Sequence, residues 1–266
     1  MLLVIDIGNT NTVLGVYDGR QLKRDWRLET KQRQSADEYG ILTRNLFTLG
    51  CIEFTGISDI IVASVVPTLN SVLEQMALKY FKIKPFFVGP GVKTGMPIRY
   101  DPPSDVGADR IVNGVAAFQK YGGPCIVVDF GTATTFDAIS ETGEYLGGVI
   151  SPGLIISADA LFAKTARLPR VEVKAPSKVI GTSTVTSIQS GLYYGYIGLV
   201  DGVLEKMIKE LSSDSKVVAT GGQAPMIGSC ARHINYIDPH LTLEGLRLIY
   251  EKNQPRLVSS KSTLRS

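Results

Sequence analysis

Two hydrophobic periods alternate along this chain, and the shorter one comes first. Residues 2–6 form an apolar run that ends in Asp6. Residues 13–17 and 22–28 read as two further strands, joined by a hairpin turn at Asp18-Gly19. The period then lengthens. Ile41, Leu42, Leu46 and Leu49 recur at helical spacing, and Ser35 with Glu38 three positions on makes a capping-box signature, so a helix is expected over 35–49. A strand at 59–64, a helix at 68–80 and a strand at 85–88 follow, then a loop rich in proline and glycine over 89–106. After a helix at 109–121 the opening pattern returns: an apolar strand, 126–129, again ends in aspartate and is followed by strands at 136–139 and 145–150. Helices are expected at 154–165, 184–211 and 241–252, with an exposed loop at 168–182 and a strand at 217–219. Strands first, then strand and helix in alternation, indicate an α/β fold.

Composition narrows the function. The chain has 266 residues, 44% hydrophobic and 20% charged, which is ordinary for a globular protein. Its net charge of +3 is carried by scattered basic residues, too mild a balance to indicate nucleic acid as a partner. Cys51, Cys125 and Cys230 are far apart, give no metal-ligand spacing and suit a reducing compartment. The two histidines, His233 and His240, suggest neither a zinc site nor a serine triad. The N-terminal run meets an aspartate at once, unlike a signal peptide, and no apolar run approaches the roughly 20 residues that cross a bilayer. A cytoplasmic protein with no membrane partner is the expectation.

The candidate chemistry lies in the repeated aspartate strand. Val4-Ile5-Asp6-Ile7-Gly8-Asn9-Thr10-Asn11-Thr12 and Val127-Val128-Asp129-Phe130-Gly131-Thr132-Ala133-Thr134-Thr135 share Asp, Gly and a final Thr in register. One such hairpin is a tight turn like many others; two, each after an apolar strand, suggest an internal duplication. A glycine in the turn lets backbone amides approach phosphate oxygens, and Thr and Asn side chains add donors. The aspartate at the strand end is a hard oxygen ligand for a cation carried by a nucleotide. A third piece, Thr220-Gly221-Gly222, follows a strand, and paired glycines allow close approach by a flat ring such as adenine.

These pieces resemble the two phosphate motifs and the adenosine motif of the acetate kinase, sugar kinase and actin superfamily. The finer resemblance is to type III pantothenate kinases. It rests on Asp6-x-Gly-Asn-Thr, Gly107-Ala108-Asp109-Arg110, Asp129-x-Gly-Thr132-Ala133, Gly147-Gly148-x-Ile150-x-Pro152-Gly153 and Gly181-x-x-Thr184 leading into Ser190-Gly191, and it covers essentially all of the first 250 residues. It implies a duplicated ribonuclease H-like (actin-like ATPase) fold whose two lobes have mixed central sheets flanked by helices. The lobes are expected at 1–115 and 116–254, with a polar tail at 255–266. It implies phosphorylation of pantothenate by ATP with Mg²⁺, the first step of coenzyme A synthesis. ATP contacts are expected from Asp6, Ile7, Gly8, Asn9, Thr10, Asn11, Thr12, Val13, Thr132, Gly221 and Gly222, with Asp6 reaching Mg²⁺ through water.

At the acceptor end, Asp109 is the candidate base for the substrate hydroxyl. An aspartate in a first helical turn is also favoured by the helix dipole alone. Arg110 is suited to a phosphate or a substrate carboxylate, or to a surface ion pair with Asp105 or Asp101. The resemblance places pantothenate against Tyr100, Gly107, Ala108, Asp109, Arg110 and Thr184. It also implies a monovalent cation, K⁺ or NH4⁺, at Asp129, and a homodimer in which Thr184 serves the partner's pocket. A sugar-type kinase and a non-catalytic transcription accessory factor are the other readings for this scaffold; the presence of Asp6, Asp109 and Asp129 disfavours the latter.

Overall fold

The computed structural model describes residues 1–254, so the expected polar tail, 255–266, lies outside the described residues. Two five-stranded sheets form its frame. In the first, β1 (Leu2–Ile7) pairs antiparallel with β2 (Asn11–Asp18), which pairs with β3 (Gln21–Glu29); on its other side β1 runs parallel to β4 (Asp59–Ser64), and β5 (Phe86–Phe87) closes the order β3-β2-β1-β4-β5. The second repeats this plan. Its strands β6 (Cys125–Phe130), β7 (Ala133–Ile139), β8 (Tyr145–Pro152), β9 (Lys216–Gly221) and β10 (Tyr236–Ile237) lie in the order β8-β7-β6-β9-β10. The internal duplication expected from the aspartate strands is thus a duplication of the whole sheet.

Five layers result. The outer face of the first sheet is covered by α1 (Ala36–Leu49) and α2 (Asn70–Met76), around Leu3, Ile5, Phe47 and Leu73. The outer face of the second is covered by α5 (Thr184–Leu211), around Val128, Phe136, Tyr196 and Leu204; α4 (Leu154–Ala163) adds Leu154 to that core. Between the sheets lie α3 (Ala108–Tyr121) and α6 (Leu241–Asn253), packed on each other. Helix α6 rests on β1, β2 and β4, and α3 rests on β6 and β7 as well as β4. Each sheet therefore takes part of its inner cover from the other half of the sequence.

Most elements begin and end within a few residues of the expectation, and their caps explain why. Ser35 and Glu38 close the predicted capping box on α1. The 68–80 helix is broken into a 3₁₀ turn (Pro67–Leu69), α2 and a π turn (Ala77–Phe81), which ends where Lys82 adopts a left-handed conformation at φ 61°. Strand β10 and the π turn Ala224–Gly228 carry too few residues to show a period.

The contact between α3 and α6 depends on Gly245, where a Cβ would collide with the Val112 carbonyl and side chain. Gly245→Ala is expected to cost about 1–3 kcal/mol by overpacking, read as a lower urea midpoint. An unchanged midpoint would show that the helices can part freely.

Candidate active site

Strand alternation aims two carboxylates into one space. On β1, Leu2 and Val4 face the middle layer while Leu3, Ile5 and Ile7 face outward, so Asp6 leaves the strand end on the inner side. On β6, Cys125 and Val127 face inward, Ile126 and Val128 outward, and Asp129 emerges in the same way. Both line a cleft of about 280 Å³ between the sheets, and Asp109, in the first turn of α3, lines it too.

The two turns are not identical. The Gly8 amide donates to the carbonyl of Asn11 at 2.9 Å, whereas the Gly131 amide donates to that of Ala133 at 3.1 Å. The first turn is one residue longer, so Asp6 sits opposite Val13 but Asp129 sits opposite Thr135. The ungapped match of Thr12 with Thr135 is therefore corrected by the structure. Thr135 lines the cleft; Thr12 is buried on the other side, its hydroxyl 2.9 Å from that of Thr30. From the two turns the hydroxyls of Thr10 and Thr132 meet at 2.6 Å, spanning the cleft.

Of the expected nucleotide set, Asp6, Gly8, Asn9, Thr10, Asn11, Val13, Thr132, Gly221 and Gly222 line this cleft with Asp109 and Asp129. Ile7 is packed in the outer core and does not line it; neither does Thr12. Of the acceptor set, Gly107 caps α3 and Ala108 begins it, and Arg110 is buried beside them. The partner of Arg110 is neither Asp101 nor Asp105 but Asp137 on β7, at 2.7 Å. The same carboxylate accepts from Tyr145 at 2.7 Å and from Thr135 at 3.0 Å, and Tyr100 meets Tyr145 edge-on with centroids 6.3 Å apart. Thr184 is exposed and lies apart, in a hollow with Leu161, Leu168 and Gly181.

Several site residues carry no motif. Asp137 could have been suspected as an acid inside an apolar strand. Asn113, one turn beyond Asp109 on α3, donates to Asp129 Oδ2 at 2.9 Å and accepts at its Oδ1 from Thr242 at 2.7 Å. Arg27 on β3 and Gln223 also line the cleft.

Burial raises the proton affinity of all three carboxylates in the cleft, and neighbouring carboxylates add to it. Burial, then Asp109, pushes Asp129 up to about 7, against the Asn113 hydrogen bond. Asp6 is raised well above the usual range by burial and then by Asp109 and Asp129, with Arg27 opposing. Asp109 is raised by burial, which outweighs the hydrogen bond that its Oδ1 accepts from the Arg110 amide at 2.8 Å. A cation would relieve this repulsion. Gly221, at φ 90°, leaves the space beside Asp129 open: a Cβ there would fall 2.5 Å from Oδ1. Among the described residues no three His, Cys, Asp or Glu side chains gather into a metal cage. One open carboxylate oxygen fits a cation that is shared with a nucleotide.

Twin sheets that carry opposed Asp-Gly hairpins on either side of a cleft define a kinase-like fold of the actin-like ATPase class. A Sinorhizobium meliloti protein described as a 2-dehydro-3-deoxygalactonokinase shares the fold with a TM-score of 0.60 at 12% identity, over 99% of this chain and 100% of that one. A Campylobacter jejuni protein described as a Baf family transcriptional activator does so with a TM-score of 0.58 at 22% identity, over 94% and 98%. Within this class the chain belongs to the type III pantothenate kinase family, whose family model matches residues 2–206. It is 58% identical over 264 residues to the type III pantothenate kinase of Koribacter versatilis (strain Ellin345), covering 96% of each chain.

Proposed function

We propose that this chain transfers the γ-phosphoryl group of ATP to the primary hydroxyl of pantothenate, giving 4′-phosphopantothenate and ADP and opening coenzyme A synthesis. The observation that carries the reading is the placement of Asp6, Asp129 and Asp109 around one cleft, in a chain of this family. The turns at Gly8 and Gly131 offer amides and hydroxyls to the phosphates from both sides, and a phosphate between Thr10 and Thr132 replaces their mutual hydrogen bond. Gly221 and Gly222 leave room for adenine. Asp109, with one oxygen held by the Arg110 amide, turns the other to the pantothenate hydroxyl and takes its proton as the O–P bond forms and the bond to ADP breaks.

Mg²⁺ would be held by the triphosphate oxygens and, through water, by Asp6. Asp129 would hold K⁺ or NH4⁺. Both supply positive charge to a cleft with three carboxylates. The nucleotide lies between lobes 1–115 and 116–254, in a protein of the cytoplasm that binds neither nucleic acid nor membrane. Among the described residues no helix is long and apolar enough to cross a membrane.

Pantothenate lies against Tyr100, Gly107, Ala108 and Arg110, and the assembly is a homodimer that brings Thr184 of one chain to the pocket of the other. Three features support the dimer. Thr184 does not line the cleft of its own chain but a separate hollow. Apolar side chains of β8, α4 and the loop before α5 are open to solvent, with Ile150 60% and Ile180 83% exposed. Helix α5 packs Tyr193, Tyr196 and Val200 inward and leaves Gly191, Gly195 and Gly198 with open space before them.

A coupled ADP-release assay tests the function. Turnover is expected to need pantothenate and Mg²⁺, and to be supported by potassium or ammonium but not by sodium or lithium. No pantothenate-dependent ADP release in potassium buffer would defeat the kinase reading; equal rates in sodium and potassium would defeat the cation assignment alone.

A further inference from the structure

One break in the duplication brings a charge to the cleft. In the first sheet, Asp6 on β1 pairs with Val13 on β2, and Val13 pairs with Arg27 on β3. Residues directly opposite each other in antiparallel strands share a face, so these three form one row on the inner side. The corresponding row of the second sheet is Asp129, Thr135 and Ile150. Where the first row ends in a guanidinium, the second ends in an exposed aliphatic side chain.

Neighbouring contacts fix the direction of Arg27. Trp26 stacks on Phe47 in the outer core at 5.5 Å, and alternation sends Arg27 to the opposite face, where it lines the cleft two strand spacings, about 10 Å, from Asp6. Strand β3 is tied to the first phosphate turn just beyond it. The Thr30 amide donates to the Thr10 carbonyl at 2.8 Å, and the Thr30 hydroxyl donates to the Gly8 carbonyl at 2.8 Å. The strand that carries Arg27 thus keeps its place relative to the turn that would hold the phosphates.

Charge completes the case. The cleft is lined by three carboxylates, and among the described residues Arg27 is the one cationic side chain that lines it. It is exposed and forms no ion pair among the described residues, which is also true of Arg20, Arg24, Arg33, Arg44 and Arg167; what sets it apart is its place beside the carboxylates of the cleft. An arginine left free in an acidic cleft is held ready for an anion that arrives from outside, and its planar fork matches the oxygens of a phosphoryl group.

We propose that Arg27 is a catalytic residue of this kinase, its guanidinium neutralising the charge spread over the γ-phosphoryl oxygens during transfer. The assignment rests on the ATP site proposed above. ADP lacks that phosphoryl group, so Arg27 separates chemistry from nucleotide binding. Catalysis benefits only from contacts stronger in the transition state than in the ground state.

The test compares Arg27→Met and Arg27→Lys with the unmodified protein in steady-state assays, with ADP affinity by calorimetry and fold integrity by urea titration. For Arg27→Met, kcat is expected to fall about 10²–10³-fold, the usual worth of one preorganised donor to transition-state charge. ADP affinity and the urea midpoint should stay unchanged. Arg27→Lys should recover part of the rate, since it restores the charge without the fork. Retained kcat overturns the proposal, with or without a higher KM for ATP, and so does an equal loss of ADP affinity. If the unmodified protein shows no turnover, the kinase reading fails instead.

Discussion

Replacing Asp109 with asparagine is expected to lower kcat by about 10²–10⁴-fold, the contribution of a positioned base, while leaving ATP affinity close to that of the unmodified protein. Asparagine keeps an oxygen to accept from the Arg110 amide, now at 2.8 Å from Asp109 Oδ1, so the start of α3 is preserved and only the proton acceptor is lost. Stability should move the other way. Burial raises the Asp109 carboxyl above its ordinary value, so the folded protein holds that proton more tightly than the unfolded chain does. Its contribution to stability is present at low pH and is lost as pH rises through the folded-state value. Above that value the ionised group opposes folding, and Asp109→Asn should there unfold at an equal or higher urea concentration. In the unmodified enzyme, kcat/KM should decline on the acid side as Asp109 is protonated, above the ordinary aspartate value of about 3.9. A variant with most of its activity would reduce Asp109 to a helix-start residue.

The second large effect belongs to stability. Arg110→Met is expected to cost about 3–5 kcal/mol, because it strands the Asp137 carboxylate in the middle layer without its counter-ion. Arg110 is 8% exposed and Asp137 0%, so water cannot easily take the place of the guanidinium. The double variant Arg110→Met with Asp137→Asn should regain most of that loss, since a neutral amide still accepts from Tyr145 and no bare charge remains. Urea titration of the two variants beside the unmodified protein decides the matter. A single-variant loss below about 1 kcal/mol would mean that the pair is solvated and adds little.

Much of this architecture can be read from the chain, because it is written in local periods. The opening apolar strand and its later copy each end in aspartate, and strand alternation alone then sends Asp6 and Asp129 to the same side. The glycine pair after β9 and the Gly107 to Arg110 block were legible as motifs. What escaped reading was set by pairing between distant strands. An inserted residue in the first turn moves Thr12 out of step with Thr135, and only the strand register reveals it. The partner of Arg110 lies 27 positions away on β7, out of sight of any local pattern. Arg27 looked like one of many scattered surface cations, since its row with Asp6 exists only once three strands are assembled.

The exchange of inner helices between the two sheets governs the order of assembly on the ribosome. The strands of the first sheet are made early, yet part of their inner cover, Leu241, Leu243, Leu246 and Ile249 of α6, is among the last of the described residues to emerge. Until then Leu2, Val4 and Ile61 have an apolar face without that helix. A nascent chain stopped before α6 should hold a half-clothed sheet that invites chaperones and proteases, however complete its first 240 residues. A stop codon placed just ahead of residue 241 would therefore act as a folding lesion, although it leaves Asp6, Asp109 and Asp129 in place.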